Sequence, residues 1–103
     1  MVAKLIALYK NPKDQKEFDA KFYNEQIPLV QKMPGLQLIE CSQVNGAPEG
    51  EAAFYLMTEF YFDNMEAVKA GLASPEGQAA RENLMSFAGD LVTLMFAEVT
   101  DKN

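Results

Sequence analysis

The segment Gln26–Leu36, with the sequence QIPLVQKMPGL, decides the fold of this chain. Pro28 stands inside a helical pattern of apolar residues, and Pro34 followed by Gly35 ends that pattern just before a strand-like run. Because proline has no backbone N–H, Pro28 removes the helical donor of the Asn24 carbonyl. The segment therefore predicts a helix that is disturbed in its last turns, ends at the Pro-Gly pair and leads directly into a strand.

The chain before this segment predicts one strand and the beginning of the same helix. Val2–Lys10 is apolar on both alternating sets of side chains, which is typical of a strand covered on both faces. Asp14 followed by Glu17 has the spacing of a capping box and predicts the first helical turn there. The apolar stripe of this helix contains one polar member, Gln26, among Phe18, Phe22, Leu29 and Met33.

The chain after the segment predicts three more strands and two more helices. The strands are expected over Leu36–Val44, Ala53–Phe62 and Leu91–Thr100. Asp63 is expected to cap a short helix. Ser74, followed by Pro75 at the first helical position, is expected to cap the next helix, which Gly89 ends.

This order of elements, β-α-β-β-α-α-β, predicts a single α+β domain over residues 1–103. It is the ferredoxin-like βαββαβ pattern with its second helix split in two, which places the helices on one face of a four-stranded antiparallel sheet. The strands carry apolar residues on both faces, and a bare apolar face of roughly several hundred Å² exceeds what monomers usually expose. We therefore expect a homodimer in which two sheets face each other.

The composition excludes several classes of function. A formal net charge of −6 disfavours nucleic acid and anionic membranes as partners, and no apolar run approaches the roughly 18 residues that span a bilayer. The N-terminus enters a strand directly, without a signal-peptide pattern. Cys41 is the only cysteine, so an internal disulfide is excluded and a cytoplasmic location is expected. The chain has no histidine and no cluster of metal ligands, so we expect no metal, no haem and no other cofactor.

Several motifs, taken in order, resemble the EthD family. They are Leu8–Pro12 (LYKNP), Phe18–Asp19 (FD), Gln26–Leu29 (QIPL), Met33–Leu36 (MPGL), Phe60–Asp63 (FYFD), Leu72–Gln78 (LASPEGQ) and Val92–Glu98 (VTLMFAE). Each motif alone is short, but together their order and spacing cover nearly the whole chain.

The resemblance implies a dimeric α+β barrel, in which each subunit of a homodimer has a small-molecule cleft between its sheet and its own helices. EthD itself is associated with bacterial degradation of ethyl tert-butyl ether, and relatives in the superfamily include cofactor-free monooxygenases, polyketide cyclases and haem-degrading enzymes. The family commonly carries a histidine just before an Ile/Val-Pro-Leu segment, where this chain has Gln26. A glutamine cannot act as acid, base or haem ligand at neutral pH, but it can orient a substrate through hydrogen bonds.

Gln26 and Glu59 are the polar candidates for a functional site. Gln26 lies on the stripe that faces the sheet, so it is either a buried amide satisfied by a backbone group, such as the Asn24 carbonyl, or a ligand-orienting amide in the cleft. Glu59 lies in the most aromatic strand, where partial desolvation would suit a general acid or base. Its alternative role is an ion pair or hydrogen bond in the dimer interface. Which of the two holds depends on the face of the sheet that Glu59 occupies.

Tyr9, Tyr55 and Tyr61 are phenols on predicted strands. Aromatic side chains in strands are mostly core residues, and one or two of these hydroxyls are expected to reach the cleft and bind a ligand oxygen. Two hypotheses remain open. The first is a cofactor-independent oxidoreductase or cyclase, in which Glu59 is catalytic and Gln26 and the tyrosines hold a small, largely apolar, oxygenated substrate. The second is a non-catalytic ligand-binding or accessory protein of a catabolic or biosynthetic pathway.

Overall fold

The computed structural model, which describes residues 1–101, has the predicted order of strands and helices. The elements are β1 (Ala3–Tyr9), α1 (Gln15–Lys21), a π-helical segment (Phe22–Gln26), α2 (Ile27–Val30), β2 (Leu38–Gln43), β3 (Leu56–Phe62), α3 (Met65–Ala73), α4 (Pro75–Ala88) and β4 (Val92–Glu98). The strands form one antiparallel sheet of four, so the predicted α+β, ferredoxin-like class is confirmed. No helix within the described residues is long and apolar enough to cross a membrane.

The sheet has two faces with different surroundings. Its strand order is β2-β3-β1-β4, so β1 and β3 are central and β2 and β4 form the edges. Along β1 and β3, buried side chains that face the helices alternate with partly exposed ones on the other side. We call these faces the helix-facing side and the open side. Leu5 and Phe60 pair on the helix-facing side, whereas Ile6 pairs with Glu59 and Met95 on the open side.

The first helix begins as predicted but does not continue as one α-helix to Pro34. The Asp14 side chain accepts a hydrogen bond from the Glu17 N–H (3.1 Å) and caps α1. The Ile27 N–H then donates to the Phe22 carbonyl, five residues back, which widens the helix into a π turn. Pro28 follows in the first turn of α2, where no N–H is needed. The disturbance that the proline predicts is therefore a π turn placed just before it.

The predicted end of this helix is three residues too late. α2 ends at Val30, and turns carry the chain over residues 31–35 to the Pro-Gly pair. Gly35 has a φ of +82°, which only glycine adopts readily. Its conformation reverses the chain toward β2, so the pair ends the helical region through a turn rather than as a direct cap.

The cap predicted at Asp63 is also wrong. The cap of α3 is Asn64, whose side chain accepts a hydrogen bond from the backbone N–H three residues on (2.8 Å). Asp63 instead accepts a hydrogen bond from the Gln37 side chain, which ties the approach to β2 to the end of β3. The cap predicted at Ser74 is confirmed, because its hydroxyl accepts from the Gly77 N–H (3.0 Å).

All four strands are shorter than predicted, β1 by one residue at each end. Around β2, single backbone hydrogen bonds extend the pairing beyond the strand ends. The Gln37 N–H donates to the Tyr61 carbonyl, and the Val44 N–H donates to the Tyr55 carbonyl, both at 2.9 Å. The predicted boundaries thus include residues that still pair with the sheet but have left the regular ladder.

Gly77 brings α4 into close contact with α3, and Gly71 brings α3 close to Phe62 and Pro34. A Cβ at Gly77 would overlap the Gly71 carbonyl oxygen and lie 2.7 Å from the Leu72 carbonyl oxygen. A Cβ at Gly71 would lie 3.0 Å from both the Phe62 ring and the Pro34 carbonyl oxygen. This contact fixes where α4 begins and therefore which of its side chains lie over the sheet.

Candidate functional site

A cavity of about 300 Å³ lies between α4 and the helix-facing side of the sheet. This volume is at the lower end of the range typical of small-molecule sites. Most of its lining is apolar and comes from β1, β3, β4 and the helices. The lining residues are Leu5, Ala7, Tyr9, Gln26, Val30, Met33, Phe60, Leu72, Gly77, Ala80, Arg81, Leu84, Leu94, Met95 and Phe96.

Gln26 is the last residue of the π turn and is only 4% exposed. Its Oε1 accepts a hydrogen bond from Nδ2 of Asn83 on α4 (2.9 Å). Among the described residues the Nε2 group of Gln26 has no hydrogen-bond partner. This group keeps some contact with solvent, because every fully buried side-chain nitrogen or oxygen among these residues has a partner. The Asn24 carbonyl, the predicted acceptor for these N–H donors, does not accept from them, and Asn83 binds the oxygen at the other end of the amide. One side of the amide is fixed, and its N–H donors remain available to the cavity.

Tyr9 also lines the cavity, at the end of β1, and its side chain is 1% exposed. The ring packs edge-on against Phe18 and Phe22, with centroid distances of 5.4 and 5.5 Å. Burial raises the pKa of the Tyr9 hydroxyl far above its ordinary value, and the hydrogen bond with Thr58 only partly offsets this. Tyr9 is therefore a neutral phenol throughout the physiological pH range.

Arg81 contributes the only charged group in the lining, and the sequence patterns above did not single it out. The sequence indicates Arg81 only through its position on a helix face. One face with the spacing i, i+3, i+4, i+7 contains Gly77, Ala80, Arg81 and Leu84. Within residues 1–101 its guanidinium forms no salt bridge. Neighbours three and four residues away on the helix are not acidic, so no helical ion pair competes for it.

The mouth of the cavity is apolar on the side of the sheet edge. Leu94 and Phe96 lie on the helix-facing side of β4, because they pair with Ala7 and Leu5. They remain 38% and 51% exposed, since β4 is an edge strand and no helix covers this part of it. The opening therefore combines two exposed apolar side chains with the Arg81 guanidinium.

Tyr55, predicted to bind substrate, does not line this cavity. Its hydroxyl donates to both carboxylate oxygens of Asp19, at 3.0 Å each, and its ring packs edge-on against Phe18. Burial and this hydrogen bond raise the pKa of the Tyr55 hydroxyl. The contact connects α1 to the beginning of β3, so Tyr55 here holds the fold together.

Glu59 and Tyr61 lie on the open side of the sheet and do not reach the cavity. The Lys4 Nζ lies 2.7 Å from Glu59 Oε1 and 5.2 Å from the centre of the Tyr61 ring. The hydrogen bond with Glu59 raises the pKa of Lys4. The Tyr61 hydroxyl donates to Glu40 on β2 (2.8 Å), and this bond raises the pKa of Tyr61. These four side chains form a polar cluster on the face that is not covered by helices.

The structure thus brings together two of the five predicted site residues, Gln26 and Tyr9. Glu59 lies on the open side of the sheet, whereas Gln26 lies on the helix-facing side. Glu59 therefore does not reach a ligand bound beside Gln26. Glu59 is instead ion-paired with Lys4. No group of three or more histidine, cysteine, aspartate or glutamate side chains that could hold a metal ion is found within the described part of the chain.

Comparison with known proteins gives a consistent result. The family model described as the EthD domain matches residues 10–90. An EthD family protein of known structure from Bacillus halodurans is 42% identical, with a TM-score of 0.93 over 97% of this chain and 100% of that one. An uncharacterised 11.0 kDa protein from the thcB–thcC intergenic region of Rhodococcus erythropolis is 29% identical, with 92% of each chain covered.

Two further solved structures share the fold at low sequence identity. A dimeric ferredoxin-like protein of unknown function from Jannaschia is 15% identical, with a TM-score of 0.72 over 96% of this chain and 100% of that one. SnoaB, a cofactor-independent oxygenase from Streptomyces nogalater, is 12% identical, with a TM-score of 0.67 over 98% of this chain and 94% of that one.

Proposed function

This chain belongs to the EthD domain family, and we propose that the cavity beneath α4 binds a small, largely apolar molecule. The observation that carries the proposal is the amide of Gln26. Gln26 is only 4% exposed, lines the cavity and carries Nε2 donors from which no described residue accepts a hydrogen bond. Its Oε1 is held by Asn83, while its Nε2 is left available beside an apolar volume. A bound oxygen atom would satisfy the Nε2 donors, and apolar side chains would surround the rest of the molecule.

Binding is favoured over catalysis by the chemistry of the lining. The lining contains no carboxylate, and the chain has no histidine, so the cavity lacks an obvious general base. Glu59, proposed from the sequence as the proton-transfer group, would need to act on the open side, where Lys4 holds it in an ion pair. The function that we assign is therefore ligand binding in small-molecule catabolism or biosynthesis.

Cofactor-independent catalysis in the same cavity is the second candidate. The specific observation in its favour is the presence of two donor groups, the Gln26 amide and the Arg81 guanidinium, in the lining of one apolar volume. Such donors stabilise negative charge that develops on a substrate. The fold is shared with a protein described as a cofactor-independent oxygenase. Without a base in the lining, this candidate requires a substrate that ionises readily by itself.

We also propose that two copies of the chain associate through the open sides of their sheets. This side carries Ile6, Leu8, Met57 and Met95 around the polar cluster of Lys4 and its neighbours. An uncovered apolar face of this kind is unusual in a monomer. A protein of the same fold is described as dimeric. The dimer would leave most of the cavity lining free, because it lies on the other side of the sheet except for Met95 on the edge strand.

The binding proposal is tested with 1-octanol as a neutral apolar probe, titrated by calorimetry. Wild-type protein is expected to bind it, and Ala80→Leu is expected to lose binding because the larger side chain fills the cavity beneath α4. Ala79→Leu is the matched control, since Ala79 is the exposed neighbour on the same helix. Two-dimensional NMR spectra check that both variants fold. No binding to the wild type, or equal binding to both variants, would contradict the proposal.

A further inference from the structure

Arg81 lines the cavity, but the binding of a neutral molecule would not use its positive charge. Arg81 is the single arginine among nine basic residues of a chain with a net charge of −6. Fifteen acidic residues are available as partners, yet Arg81 forms no salt bridge within residues 1–101. Most lysines among the described residues, such as Lys10, Lys32 and Lys69, likewise form no salt bridge. What distinguishes Arg81 from these lysines is its place in the lining of an apolar cavity.

We propose that the ligand of this cavity is an amphipathic monocarboxylate, with its carboxylate bound by Arg81 and its apolar body enclosed between α4 and the sheet. This inference rests on the proposed binding function and specifies its ligand class. Arginine presents a planar fork of donors that matches a carboxylate in a two-bond geometry. A carboxylate at the mouth would supply the negative charge that the lining lacks.

The placement of the polar groups orients such a ligand. Arg81 is exposed and Gln26 is buried, so the two groups lie at the mouth and in the interior of the same cavity. The guanidinium would hold the carboxylate near solvent, where its charge keeps part of its hydration. The Nε2 group of Gln26 would meet a neutral oxygen on the body of the molecule if one is present.

The size of the cavity sets the length of the body. At about 30 Å³ per non-hydrogen atom, which is the share of one water molecule in the liquid, about 300 Å³ holds on the order of ten such atoms. Leu94 and Phe96 offer additional apolar surface at the mouth. A straight or branched acid of about eight carbon atoms therefore fits the enclosed volume.

Octanoate and 1-octanol are the matched probes, because they share the apolar body and differ in charge at neutral pH. Calorimetric titration of wild-type protein is expected to give at least about tenfold tighter binding of octanoate. Arg81→Gln is expected to abolish this preference, so that octanoate binds no more tightly than 1-octanol. Arg81→Lys keeps the charge but loses the planar fork, and is expected to retain only part of the preference.

Lys69→Gln is the charge-matched control, because Lys69 is exposed on α3 and does not line the cavity. It is expected to bind both probes as the wild type does. The inference is overturned if wild-type protein binds the two probes equally, or if Arg81→Gln weakens both equally or neither. If 1-octanol binds and only the octanoate preference is missing, the ligand class is wrong while the cavity still binds apolar molecules. If neither probe binds, the cavity proposal fails as well.

Discussion

Two tyrosines that look equivalent in the sequence have different roles in the fold. Tyr9 lies inside the cavity with its hydroxyl against Thr58, whereas Tyr55 donates its hydroxyl to the Asp19 carboxylate. Both have a raised pKa, chiefly because burial disfavours the charged phenolate. Each therefore remains a neutral phenol at neutral pH, Tyr9 beside Thr58 and Tyr55 as a donor to Asp19.

The buried phenol of Tyr9 predicts how stability changes in alkaline solution. The pKa of Tyr9 is higher in the folded state than the unfolded value of about 10. The neutral phenol therefore contributes fully to stability below about pH 10, and this contribution is lost as the pH rises above that value. This group alone should lower the free energy of unfolding by about 1.4 kcal/mol per pH unit above that point. Urea titrations of Tyr9→Phe between pH 8 and about 11.5 should show a shallower decline.

Tyr23→Phe is the control for this measurement, because Tyr23 is half exposed and its pKa is raised with less burial. Its decline should stay close to that of the wild type. An identical alkaline slope for the wild type and Tyr9→Phe would mean that Tyr9 can ionise without unfolding the protein.

At the scale of secondary structure, the π turn and the α3–α4 contact position the cavity. The Ile27 N–H bond to the Phe22 carbonyl widens the helix just before Pro28 and leaves Gln26 facing α4. Gly77 lets α4 start against α3, and its helix face then runs over the cavity. A shift of either helix would therefore change the distance between Gln26 and Asn83.

Gly77→Ala is expected to destabilise the protein by about 1–3 kcal/mol, the usual cost of inserting a methyl group into a packed contact. The added Cβ would overlap the Gly71 carbonyl oxygen, which belongs to backbone and cannot rotate away. Urea unfolding measures the change. Glu82→Ala, on the exposed side of the same helix, should change stability by less than about 0.5 kcal/mol. A Gly77→Ala protein as stable as the wild type would contradict the close α3–α4 contact.

The sequence contains enough information for the order of elements and for Gln26, but not for the face that Glu59 occupies. Gln26 interrupts an otherwise apolar helical stripe, so its burial follows from periodicity. Both alternating sets of β3 contain apolar residues, so periodicity does not distinguish its two faces and Glu59 could be placed on either. Arg81 was missed because a charge at the edge of an apolar helix face usually indicates solvent. Only the structure shows that Arg81 lies beside a cavity and is therefore a candidate for ligand binding.

For the whole molecule, the two faces of the sheet would separate the two proposed functions, ligand binding and dimerisation. The helix-facing side encloses the cavity, and the open side carries the polar cluster within an apolar surface. In the proposed dimer Lys4 and Glu59 would enter the interface as an ion pair that is already formed. That arrangement limits the cost of removing the two charges from water, because neither would be buried without its partner.

Leu8→Glu is expected to convert the dimer into a monomer. Leu8 lies on the open side between Met57 and Thr93, so the new carboxylate would be buried in the interface without a cation. Sedimentation of the wild type at micromolar concentration should give twice the chain mass of 11.5 kDa, and the variant should give that mass once. Ala70→Glu places the same charge on exposed α3 and should remain dimeric. A monomeric wild type would exclude the proposed interface.

The central claim is that this protein binds a small apolar carboxylate on the helix-facing side of its sheet. The most direct measurement is a two-dimensional NMR titration of the wild type with octanoate, which reports both faces at once. We predict saturable shifts of the backbone signals from Gly77 to Leu84 and from Leu94 to Phe96, and of the Gln26 side-chain amide. Saturable shifts confined to Glu59, Tyr61 and their neighbours on the open side, with the Gln26 amide unmoved, would contradict the claim.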